Sequence, residues 1–144
     1  MSNIDYNEVP KNFAHCTAEN CPAAETCLRA IAWKNLPDDK DTVIILNPAK
    51  QGLSATCNFY RDSSPTRFAL GFIDMQKHMY PDQYYKFMNV LTSYFGHNPY
   101  FMRRRGAMLI SPKEQNLIRS VLKKVGADEN MEFDRYVMKL NWNR

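Results

Sequence analysis

No apolar run in this sequence approaches the roughly 18–20 residues that a membrane-spanning helix needs. The opening residues, MSNIDYNEVP, are polar and acidic rather than basic and then apolar, so no secretory signal is read there. A phosphate-cradling glycine loop, a His-Glu-x-x-His pair and a nucleophile elbow are also missing. Catalysis is therefore left with little support, although an enzymatic role stays open. No internal repeat, linker or low-complexity tract divides the chain. These absences lead us to expect one domain over residues 1–144, in the cytoplasm, where thiols stay reduced.

What is present describes an ordinary globule. The 144 residues are enough to bury a real core, and 44% hydrophobic with 24% charged residues is a common balance. The net charge of +4 hides an asymmetry. Residues 1–60 carry five Lys/Arg and seven Asp/Glu, a net of −2, whereas residues 61–144 carry fourteen and eight, a net of +6. An excess of this size describes solvated faces before it describes a partner.

Three of the four cysteines, Cys16, Cys21 and Cys27, share one short stretch; Cys57 follows after 29 residues, and His15 adjoins the first. In a reducing compartment such cysteines read as metal ligands, core residues or redox groups rather than staples. Thiolates are soft, charged donors, and four of them complete a tetrahedral zinc shell or cap an iron–sulfur cluster. We expect the four sulfurs to meet in the folded chain around a structural zinc ion, with an iron–sulfur cluster as the alternative. His15 is a candidate to replace one sulfur in a Cys3His shell. Two features weigh the other way. Neither short gap matches the two-residue knuckle of many zinc sites. Cys27 also shares an apolar helical face with Ala23, Ala24, Ala30 and Ile31, which suits a small core residue. A protein-interaction module with metal-free core cysteines and a thiol redox protein therefore stay open.

Local patterns supply the elements. Residues 1–14 read as an ordered arm or a short tail. Pro22 suits a first helical position with Cys21 as N-cap, predicting a helix to about Asn35 with Glu25 and Arg29 as an exposed i,i+4 pair. Thr42–Leu46 reads as a buried strand before an Asn47-Pro48 turn, residues 54–60 as a second strand, and Thr66–Phe72 as a third after a turn at 62–65. Tyr84, Phe87, Met88, Leu91, Tyr94 and Phe95 form a helical stripe over Pro81–Phe95, with Gly96 at its end. Tyr100–Arg104 and Ala107–Ile110 read as a hairpin turning at Arg105-Gly106. Ser111, Pro112 and Glu114 make a capping box for a helix whose apolar face is Leu117, Ile118, Val121, Leu122 and Val125, closed by Gly126. Residues 133–142 fit both periods, and a short helix is expected. The fold class is α+β: a small antiparallel sheet packed with three to four helices, with a cysteine-rich N-terminal segment (15–57) and a basic helical C-terminal half.

Arg103, Arg104 and Arg105 follow Tyr100 and Phe101, and Arg119, Lys123 and Lys124 lie on the next helix. On one surface they could fork around phosphates while the aromatics stack bases, which makes nucleic acid a candidate partner and another protein the alternative. The plainer account is a solvated tip whose arginines pair with acidic neighbours. Asp74 and His78 are four apart and would align on a helix; without a nucleophile or pocket they read as structural. His97 follows a helix end, where a cation gains from the dipole.

The run His-Cys-x4-Cys-x2-Ala-x2-Cys-Leu-Arg-x2-Ala at 15–32 resembles the opening of an uncharacterised bacterial family, a domain of unknown function. Tyr100-Phe101-Met102-Arg103-Arg104-Arg105-Gly106, Ser111-Pro112-Lys113-Glu114-Gln115 and Phe133-Asp134-Arg135-Tyr136 are similar to its later blocks. Together they span nearly the whole chain. The resemblance implies a complete single unit from a bacterial cytoplasm and supplies no activity, ligand or partner.

Overall fold

A computed structural model of the chain describes residues 4–51 and 57–142. The α+β chain is organised as two compact units, residues 1–65 with 140–144, and residues 66–139.

In the first unit, the Asp5 carboxylate accepts from the Asn7 N–H and caps a 3-10 turn, Tyr6–Glu8. Ile4, Tyr6, Val9 and Leu140 pack on a small core of Phe13, Leu28, Ala32 and Trp142, so the described residues from Ile4 onward form an ordered arm. Helix α1 spans Leu28–Lys34 and does not begin at Pro22. The chain before it makes turns, with the Ala24 N–H donating to the Cys21 carbonyl at 3.1 Å and the Cys27 N–H to that of Ala23 at 3.0 Å. Cys27 rather than Cys21 is the N-cap, and its backbone is extended (φ −93°, ψ 123°). The reason is non-local. Cys27 is bridged antiparallel to Asp62, and the Leu28 N–H donates to the Arg61 carbonyl at 2.7 Å. A long-range pairing thus overrides a local helix signal.

Among the described residues, the expected strand at Thr42–Leu46 is reduced to one parallel bridge between His15 and Ile45. Ile44 and Ile45 are 49% and 43% exposed, so this apolar run is not buried. Asn47 caps a 3-10 turn, Pro48–Lys50, through its side chain, in keeping with the expected turn. Of the expected strand at 54–60, residues 52–56 lie outside the described residues, and Cys57–Tyr60 is a turn closed by the Tyr60 N–H on the Cys57 carbonyl at 3.1 Å.

The second unit holds strand β1 (Thr66–Leu70), helices α2 (Ile73–Gln76), α3 (Pro81–Phe95), α4 (His97–Arg104) and α5 (Pro112–Lys124), and strand β2 (Arg135–Lys139). The strands pair antiparallel, with Phe68 opposite Val137, and Ala69 also bridges Ile110. β2 replaces the expected helix at 133–142. Its two periods are balanced locally; the ladder to β1 and the Arg67 guanidinium lying 3.7 Å from the Tyr136 ring centre favour the strand.

α3 and α5 fall where their caps and stripes predict. Ser111 accepts from the Glu114 N–H while Glu114 accepts from the Ser111 N–H, a reciprocal cap. Tyr94 leaves the stripe at 63% exposure, because it stands about 80° from the stripe's centre at 100° per residue. The expected hairpin over 100–110 is instead α4 followed by a helix-ending turn. Gly106 has φ +81°, its N–H donates to the Arg103 carbonyl and that of Ala107 to Met102, which is a Schellman closure. An Arg-Gly pair serves a hairpin and a helix end equally well, and the burial of Tyr100 against Phe72 and Phe101 favours the helix. Phe72, Phe87, Leu91, Tyr100, Ile118 and Leu122 are fully buried, each stabilising the unit by roughly 1.5–3 kcal/mol before entropy is counted.

Asp134 fixes the start of α2, accepting from the Ile73 and Asp74 N–H groups at 2.9 and 3.1 Å. Gly71 stands beside it with φ +80°, and a Cβ there would lie 2.7 Å from Asp134 Oδ2. Gly71→Ala is therefore expected to destabilise this unit by about 2 kcal/mol, from left-handed strain and displacement of the cap, as read by urea unfolding.

Candidate metal centre

Cys16, Cys21, Cys27 and Cys57 all line one cavity of about 20 Å³ in the first unit. By volume it accommodates about one water-sized sphere. All four cysteines are free thiols; Cys16 and Cys27 are buried, and Cys21 and Cys57 half-buried. They arrive from different local structures. Cys16 is anchored by its N–H donating to the Arg29 carbonyl at 3.1 Å. Cys21 opens the turn before α1, Cys27 caps α1, and Cys57 begins the turn to Tyr60. The Phe59 N–H points at Cys57 Sγ, 3.4 Å away, a contact of the kind that surrounds metal-bound sulfur. Among the described residues, no three His, Cys, Asp or Glu side chains stand close enough to hold a metal ion as they are. Each cysteine has one side-chain torsion, so staggered rotations can move the sulfurs relative to the cavity without moving the chain.

Arg29 shares the cavity wall. It is only 9% exposed, not the outer partner of Glu25 that the i,i+4 spacing suggested. Its Nε donates to the Phe59 carbonyl and its Nη1 to the Ala14 carbonyl, both at 2.8 Å, and its guanidinium lies 4.9 Å from the Phe13 ring centre. Burial lowers the Arg29 pKa from its ordinary value and Arg61 acts the same way, while Cys27, Cys16 and Cys57 act to raise it. Arg29 stands in the Cys-Leu-Arg run quoted above, but its partners lie in segments 15 and 30 residues away, which local sequence does not reveal.

His15 is placed differently. It is 3% exposed, with Nδ1 3.0 Å from the Ile44 carbonyl and Nε2 2.6 Å from the Tyr6 hydroxyl. Since a carbonyl only accepts, Nδ1–H donates to it, and Nε2 is paired with the Tyr6 hydroxyl. Both ring nitrogens are engaged, and His15 is not on the cavity wall.

The basic residues are divided. Arg103 Nη2 donates to Glu114 Oε2 at 2.7 Å, and its guanidinium lies over Phe95. Arg104 donates to Gln76 Oε1, and Arg119 Nη1 to the Glu129 and Met131 carbonyls, each at 2.8 Å. Arg105, Lys123 and Lys124 stay exposed. Three of the six thus spend their guanidinium groups inside the fold.

A second, open cleft of about 500 Å³ in the other unit is lined by Asp74, His78, Asp128, Glu132 and Asp134 among others. Asp74 and His78 face one another there at 3.7 Å, both well exposed. Asp128 and Glu132 are not singled out by the sequence, and Asp134 appears there only within the Phe133–Tyr136 block, since all three come from a separate loop. Asp134 is occupied in capping α2, and Glu132 accepts from the Tyr136 hydroxyl at 2.5 Å. No curated protein and no solved structure matches the chain. The family model for DUF6078, a family of unknown function, matches residues 1–142, and the chain belongs to that family.

Proposed function

We propose that the protein is a metal-stabilised module in which Cys16, Cys21, Cys27 and Cys57 together hold one thiophilic ion, zinc in the first place. The reading is carried by a single observation: four free thiols, from the Cys16 segment, the Cys21–Cys27 turns and the Cys57 turn, share the wall of one small cavity. Thiolate donors suit zinc or an iron–sulfur centre, and a closed four-sulfur shell suits a structural rather than a catalytic ion. His15 stays outside the shell in this reading, because both its ring nitrogens already have partners. A reducing, cytoplasmic setting fits such a site. Phosphate recognition is left out of the proposal, as it would rest on Arg105, Lys123 and Lys124 alone. Elemental analysis of the anaerobically purified chain is the test. About one equivalent of zinc per chain is expected, given one closed shell. Metal-free protein overturns the reading, and a brown, iron-containing preparation replaces zinc by an iron–sulfur cluster.

A further inference from the structure

We infer that Arg29 is the positioning residue and buried counter-charge of the four-thiol centre, an inference that rests on the metal reading above. The segments bearing three of the four cysteines meet on this one residue. Its backbone carbonyl takes the Cys16 N–H, and its Nη1 holds the carbonyl of Ala14, two residues before that cysteine. Its Nε holds the carbonyl of Phe59, two residues after Cys57. Arg29 itself follows Cys27 by two residues, in the first turn of α1. A side chain with one donor group could not reach both carbonyls with the same geometry, whereas the planar fork of arginine spans them.

Charge gives the second reason. A divalent ion with four thiolates carries a net charge of −2, and taking such a group out of water is costly unless a cation accompanies it. Arg29 lies on the same wall as the four sulfurs and is almost wholly buried. Guanidinium is the more weakly hydrated of the two basic side-chain cations, which makes it the better buried partner. The centre is thereby assigned a dianionic shell of four sulfurs, rather than a mixed shell in which a neutral imidazole replaces one of them.

The test is a titration of the metal-free full chain with cobalt(II), whose ligand-field bands report tetrahedral thiolate coordination. The wild-type chain is expected to give these bands at one equivalent. Arg29→Gln is expected to weaken cobalt affinity by about 10–100-fold, the usual cost of losing an outer-shell partner. Arg29→Lys, which keeps the charge but not the fork, is expected to fall between the two with the tetrahedral thiolate spectrum retained. Wild-type affinity in Arg29→Gln overturns the inference while leaving the metal reading intact. Equal weakening in Arg29→Gln and Arg29→Lys overturns the counter-charge. Absence of thiolate bands in the wild-type chain overturns the metal reading itself, and this inference with it. If Arg29→Gln fails to fold, Arg29→Lys decides alone: reduced affinity with the same spectrum supports the inference, and unchanged affinity overturns it.

Discussion

If the proposed ion is structural, chelation is expected to unfold the first unit. Its apolar clusters are small: Phe13, Leu28, Ala32 and Trp142 in one, and Ala24, Cys27 and Ala30 in the other. Ile44 and Ile45 add little, being largely exposed. A unit of about this size commonly needs a staple besides its core. Structural zinc supplies an apparent binding free energy of about 10–16 kcal/mol in small zinc modules, which exceeds what these clusters offer. Both tryptophans, Trp33 and Trp142, lie in the first unit, so their fluorescence reports on it alone. We expect chelator to shift tryptophan emission to the red as Trp142 leaves its buried site, while the far-ultraviolet helical signal carried mainly by α3, α4 and α5 persists. Readdition of zinc should restore the emission. Unchanged tryptophan emission after verified metal removal contradicts a structural role for the ion.

Tyr100→Ala should have the opposite signature, loss of helical signal from the second unit. Tyr100 is fully buried, edge-on to Phe72 and Phe101, and its hydroxyl lies 3.2 Å from that of Tyr84. Truncating a buried aromatic costs about 3–5 kcal/mol, a large part of a domain's stability. Tyr100→Phe isolates the hydroxyl and should cost about 1 kcal/mol at neutral pH. It should also change the alkaline behaviour. Burial first, and then the Tyr84 hydroxyl, push the Tyr100 phenol well above its ordinary value. The folded state then keeps a proton that the unfolded chain releases above about pH 10. The stabilising contribution is thus complete below that pH and is lost as pH rises beyond it, at about 1.4 kcal/mol per pH unit. Tyr136, raised by burial and by its bond to Glu132, adds a slope of the same sign. Urea unfolding followed across this range should show a shallower alkaline loss in Tyr100→Phe than in the wild-type chain; identical slopes contradict the assignment.

The elements that local chemistry specifies were legible. α3 carries proline at its first position and glycine after its last, and α5 carries the Ser111–Glu114 cap and a Schellman glycine at Gly126. β1 could be read from its residues as well, because turn-forming residues bound it. Three of the misreadings share one cause, which is pairing between segments far apart in sequence, whereas α4 replaces a hairpin because Arg105-Gly106 suits either and Tyr100 is buried. Cys27 is extended because Asp62 bridges it; β2 is a strand because β1 lies alongside; among the described residues Thr42–Leu46 bridges only to His15. At the candidate site, residue type alone was enough to nominate the cysteines, since few side chains share their chemistry. Arg29 could not be nominated, because a surface arginine and one tied to Ala14 and Phe59 look the same in one dimension.

X-ray absorption at the metal edge of the purified protein tests most directly whether one ion draws the four thiols together. The account predicts a first shell of four sulfurs at about 2.3 Å and no nitrogen or oxygen, the signature of a closed thiolate zinc site. A shell containing light-atom ligands, or fewer than four sulfurs, would contradict it.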